Sequence, residues 1–125
     1  MEMTEFSADT VDQQIYDALQ ELMGEQGFEE VISVFRSDTR QSLSNLQAAI
    51  LTQQLDYVSS VCHKLKASGK LVGALEMARL CEQIESCADN QQHAAIVNAF
   101  TELEAEFQRV DAWIRTAKAE TAIPG

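Results

Sequence analysis

His63 and the three lysines that follow it are the residues whose types and spacing could do chemistry. Lys64, Lys66 and Lys70 are three of the four lysines in the chain, and all fall within seven residues of His63. No acidic residue occurs between Tyr57 and Leu75, although Asp and Glu outnumber Lys and Arg by 20 to 9 and the net charge is −11. A local cationic island in so acidic a chain points to the handling of something anionic. Lys66 lies three residues after His63, one helical turn on, so the two side chains would be surface neighbours. A phosphoryl group on a ring nitrogen would gain a charge-assisted partner there. The imidazole must be neutral to attack phosphorus, as histidine side chains mostly are near neutral pH. Ala67, Ser68 and Gly69 are all small and leave the ring unshaded. On spacing alone the same residues also describe a solvated helix face, so the pattern makes His63 a candidate and no more.

Those residues need elements to position them, and the hydrophobic periodicity is helical throughout. Thr10 and Gln13 have capping-box spacing, and Val11, Ile15, Leu19 and Leu22 then recur at helical intervals until Gly24 and Gly27 interrupt. A second helix is expected from near Gly27, with Phe28, Val31, Ile32, Phe35, Leu43, Leu46 and Ile50 on its inward stripe. Polar residues at 52–54 mark a break. The third helix turns Leu55, Val58, Cys62 and Leu65 inward and is expected to stop at Gly69. At about 100° per residue, His63 then projects away from that stripe toward solvent. A fourth helix from near Gly73 carries Leu75, Ala78, Cys81, Ile84 and Ala88, and Ala88-Asp89-Asn90 reads as a turn. Ile96, Phe100, Leu103, Phe107, Val110, Ile114 and Ala117 define the last and longest helix. Short connections favour antiparallel neighbours, so the expected fold is all-α: an up-and-down antiparallel four-helix bundle with an additional N-terminal helix. The expected divisions are an N-terminal segment over 1–9, the helical domain over 10–119 and a flexible tail over 120–125. The core is expected to include Phe28, Phe35, Leu46, Cys62, Leu65, Cys81, Phe100 and Phe107.

Composition excludes several functions. With 46% hydrophobic and 23% charged residues the chain has a globular balance, and 125 residues suit a single core. Its negative charge opposes nucleic acid and anionic membrane surfaces alike. There is no signal pattern in residues 1–12 and no apolar run approaching the roughly 20 residues of a membrane span; a cytoplasmic protein, and a monomer, is the expectation. Cys62, Cys81 and Cys87 lack the spacing of a disulfide framework or zinc site. Cys62 and Cys81 read as small core residues, while Cys87 is undecided. A haem- or metal-clamping bundle using His63 and His93 would want a Glu-x-x-His motif, which accompanies neither. His93 reads as a polar residue opening the last helix. An acyl carrier would need Asp before Ser42-Leu43, where Gln41 stands. A helical adaptor, with His63 incidental, stays open on these grounds.

The segment His63-Lys-Leu-Lys66-Ala-Ser68-Gly69-Lys70-Leu-Val-Gly73-Ala74 resembles the signature of histidine phosphotransfer (HPt) domains, a phosphoaccepting His followed by x-Leu-Lys-Gly-Ser-Ser and then Gly-Ala. Leu75, Leu80-Cys81 and Ile84-Glu85 are similar to that family's next helix. Ala67 stands for the usual Gly and Gly69 for the second Ser, both small-for-small changes. The motif spans about 23 residues, and the helix order extends the likeness along nearly the whole chain. The resemblance implies that His63 accepts a phosphoryl group from the aspartate of a response-regulator receiver domain and passes it to another receiver aspartate in a two-component phosphorelay. It implies that Lys66 flanks the phosphoryl group, that Ser68 and Gly69 leave room for the docking receiver, and that Gly73 allows close approach of the next helix. Lys64 and Lys70 would join the docking face. It further implies a phosphocarrier without autokinase activity and without a cofactor of its own. Mg²⁺ would sit on the receiver, and a hybrid sensor histidine kinase could stand upstream. The absence of a Walker loop, kinase motif or Gly-rich nucleotide segment agrees. Because receiver active sites are acidic, reversing Lys64 and Lys70 to Glu should slow association with a receiver, with a salt-sensitive rate; stopped-flow transfer rates unchanged at low ionic strength would remove the island as a steering element.

Overall fold

A computed structural model describes residues 10–122 of the chain, with side chains described as far as Ala119. The expected N-terminal segment 1–9 lies outside the described residues. Among the described residues four helices follow in order from Gln13: α1 (Gln13–Leu51), α2 (Leu55–Val72), α3 (Leu75–Asp89) and α4 (His93–Ala122). There is no strand among the described residues. The turns at 52–54, 73–74 and 90–92 are short, so consecutive helices run antiparallel. α1 packs on α2, α2 on α3, α3 on α4, and α4 returns to α1, which closes the ring of the bundle.

The expected additional helix is the arm of α1 that precedes Gly24. Gly24 adopts φ 78°, ψ 163° and kinks the helix there, whereas Gly27 stays helical. Only glycine enters that region of backbone space without strain. The arm is capped by Asp12, not Thr10. The Asp12 carboxylate accepts from the backbone N–H groups of Gln14 (3.0 Å) and Ile15 (3.2 Å), two of the donors that a helix start leaves open. Tyr16 of the arm meets Phe28 and Trp113 edge to face, at 5.0 and 4.8 Å between ring centres. Leu22, expected inside, is 81% exposed, because the arm's buried stripe ends at Tyr16 and Leu19 before the kink.

All eight residues expected in the core are buried, among them Leu46 and Cys62 at 0% exposure. Leu75 is the other departure: it opens α3 at the surface, 44% exposed, and Ala74 and Met77 fill the space instead. Cys87 is half-buried against the core. α3 runs through Asp89, so its turn falls at 90–91 rather than at Ala88. The last helix continues to Ala122, past the expected boundary at 119.

α2 does not stop at Gly69. It continues to Val72, and Gly73 ends it in the left-handed conformation (φ 92°), the backbone geometry for which glycine is favoured at a helix end. Here the chain crosses itself: the Asp12 N–H donates to the Gly73 carbonyl at 2.8 Å. A Cβ at Gly73 would lie 2.8 Å from the Asp12 carbonyl oxygen. Gly73→Ala should therefore cost roughly 2–4 kcal/mol, the sum of left-handed strain and the clash. Urea unfolding measures it, and an unchanged midpoint would mean that the crossing yields without cost.

Candidate functional site

Cys62, Leu65 and Gly69 put one face of α2 into the core, and the residue next to Cys62 must then look outward. The His63 side chain is 67% exposed. What holds it comes from α3. Gly69 faces that helix so closely that a Cβ would lie 3.2 Å from the Ala74 carbonyl and 3.5 Å from Ala78. This close seam brings Glu85 within reach of α2. Its Oε2 lies 3.0 Å from His63 Nδ1, and its Oε1 accepts from Lys66 Nζ at 3.1 Å. One turn toward the start of α2, the Ser59 hydroxyl donates to Asp89 at 2.8 Å across the same seam.

Glu85 is the member of the site that residue spacing did not disclose, although it stood in the Ile84-Glu85 stretch of the family likeness. Burial works against its charged form, but the hydrogen bonds from Lys66 and His63 outweigh it and hold the carboxyl below its ordinary value. The same bond to Glu85 raises Lys66 above the ordinary lysine value despite partial burial. An ionised carboxylate can only accept, so Nδ1 of His63 must carry the proton. The lone pair then belongs to Nε2, on the outward side of the ring.

The lysine island is only partly a unit. Lys64 and Lys70 are exposed, whereas Lys66 is 20% exposed and folded onto Glu85. Ser68 is half-buried. Gly69 and Gly73 are buried, so neither lines the open face: Gly69, not Gly73, gives α3 its close approach, and Gly73 admits the Asp12 crossing. Behind His63 lie two inert thiols. Burial pushes Cys62 far up and Cys81 to about 12. The second histidine is differently engaged: His93 opens α4 and its Nε2 donates to the Ile50 carbonyl at 2.9 Å, at the end of α1.

A four-helix bundle that displays one anchored imidazole from the middle of a helix has the design of a phosphoryl carrier. The model of the Hpt domain family matches residues 30–113, and the chain belongs to that family, whose role is histidine phosphotransfer in phosphorelays. Several solved structures share its fold, among them two described as histidine-containing phosphotransfer proteins. The histidine-containing phosphotransfer protein B from Pseudomonas aeruginosa PAO1 superposes with a TM-score of 0.81 at 21% identity, over 88% of this chain and 96% of that one. The maize histidine-containing phosphotransfer protein ZmHP2 gives 0.81 at 24% identity, over 93% and 94%. No curated protein matches by sequence. No helix among the described residues is long and apolar enough to cross a membrane.

The geometry makes Glu85 the setter of the ring's proton. In the parent chain, ¹⁵N NMR of the neutral imidazole should show the Nδ1–H form dominant. Glu85→Ala should shift it toward the Nε2–H form that free imidazole side chains favour, and an identical tautomer ratio would show that Glu85 does not orient the ring.

Proposed function

We propose that His63 is the phosphoacceptor and that it reacts through Nε2. The observation that carries this reading is the pairing of an exposed ring with an Nδ1 anchored 3.0 Å from Glu85. The Nε2 lone pair attacks the phosphorus of a receiver's aspartyl phosphate. The bond from phosphorus to the aspartate oxygen breaks, and the aspartate leaves as a carboxylate. The ring, still protonated at Nδ1, gains positive charge, and Glu85 stands where that charge is best stabilised. The return step onto a second receiver runs the same bonds in reverse.

Lys66 has two anions to serve. It is held by Glu85 in the resting chain, and an arriving phosphoryl group at Nε2 offers a second acceptor to a side chain long enough to span both. Lys64, Ser68 and Lys70 form the docking rim, and a receiver domain is the partner, with a hybrid sensor histidine kinase as a further one. The chain holds no cofactor and has no kinase activity of its own; Mg²⁺ and the remaining catalytic groups belong to the receiver. It acts as a monomer in the cytoplasm.

His63→Gln should preserve the fold, because the position is exposed and glutamine is a good helix former, yet abolish labelling by phosphorylated receivers. Label on the parent should be lost in acid and survive base, as a phosphoramidate does, and ATP alone should leave the chain unlabelled. Label persisting in His63→Gln, with His93 as the obvious alternative, would falsify the assignment.

A further inference from the structure

The second cationic place on this acidic surface lies between α1 and α4. In the ring of helices that seam is opposite the α2–α3 seam that carries His63. Asp111 of α4 is ringed by three arginines. Arg36 binds it tightly, with Nε at 2.6 Å and Nη2 at 3.4 Å, and both partners are largely buried. Arg40 and Arg115 each reach the same carboxylate at 3.3 Å, and their side chains are 52% and 62% exposed. Arg36 alone offsets the carboxylate. The other two guanidinium charges remain, each with most of its five N–H donors left for other acceptors.

These two arginines form one end of a cleft of about 390 Å³. Ser44, Gln47 and Gln108 line its middle, over Leu43 and Phe107, and Glu104 lies at the far end. From Glu104 to Arg115 the cleft follows α4 for about 16 Å, the length of roughly five extended residues. A small inorganic anion would use only the arginine end. An extended peptide would use all of it: side-chain amides for its backbone, the apolar floor for its stem, and paired guanidiniums for a carboxylate.

We propose that this cleft binds an acidic peptide segment of a partner protein, with a glutamate or aspartate side chain clamped between Arg40 and Arg115. Charge selects the occupant. A chain of net charge −11 repels acidic segments on balance, whereas this end gathers three guanidiniums around one carboxylate. Because the two seams are opposite, the peptide can stay bound while His63 remains open to a receiver. The cleft would then hold the carrier near a partner without competing for its reactive face.

The test uses the full-length chain and a fluorescein-labelled hexapeptide of alternating glutamate and alanine at low ionic strength, followed by anisotropy. The parent should bind it saturably, and amide shifts in ¹⁵N-labelled protein should cluster at 40–47 and 104–115. Arg40→Ala/Arg115→Ala should weaken binding about tenfold or more while phosphotransfer from a receiver is unchanged. Arg115→Gln alone gives a milder loss in the same direction, should the double variant lose its fold. Lys64→Ala/Lys70→Ala should bind like the parent. Absent binding overturns the proposal, and so does loss in the lysine variant instead of the arginine one. A glutamine–alanine peptide that binds equally well would show that charge does not select. Inorganic pyrophosphate binding as tightly as the peptide would make this a simple anion site.

Discussion

The closeness of α2 to α3 at Gly69 and Ala78 governs the distances among His63, Lys66 and Glu85. Two helices with ordinary side chains at that crossing would stand farther apart, and a Glu85 carboxylate could not touch both His63 Nδ1 and Lys66 Nζ. The small buried thiols of Cys62 and Cys81 continue the same tight seam beneath the ring. Packing and chemistry are therefore one problem here. The residues that fill the core also decide which nitrogen of the imidazole carries a proton.

The two ends of the bundle are secured by different means. At one end, His93 ties the start of α4 to the last carbonyls of α1, and Ser59 joins Asp89. At the other, the Asp12–Gly73 crossing and the ring cluster of Tyr16, Phe28 and Trp113 strap the arm of α1 over the bundle. Between them, the Arg36–Asp111 pair joins α1 to α4 on the side away from the imidazole. Exposed ion pairs such as Arg79–Glu76 add little to this, since solvent screens them.

Much of this was legible in the sequence. The 3.6-residue periodicity gave the helices and the core, and the outward direction of His63 followed from Cys62 and Leu65 pointing in. Helix ends were less legible. Thr10 and Asp12 are both good caps by type, and only the tertiary crossing at Gly73 selects Asp12. Gly69 read as the stop and Gly73 as the start of the next helix; what separates them is that Gly69 faces a helix and Gly73 needs a positive φ. Leu22 and Leu75 fit their stripes by spacing but lie at element ends, where the neighbouring helix no longer covers them. From spacing, Glu85 could be found only by pairing residues 22 apart on two helices, an antiparallel register that periodicity within one segment does not fix. Its place on the flank of the Cys81–Ile84 stripe and its presence in the Ile84-Glu85 stretch of the family likeness were the available signals.

The His63 ring sits in mid-helix, and this shapes what the module can do by itself. Every backbone N–H around position 63 is already committed to the ladder of α2. A helix start or a glycine loop would have offered free amides to cradle a trigonal phosphorus at its most highly charged moment. This scaffold offers none. It contributes a fixed direction of attack, with the rotational entropy of the nucleophile already spent in folding. Water arriving unaccompanied meets an imidazole held in mid-helix and no anion hole.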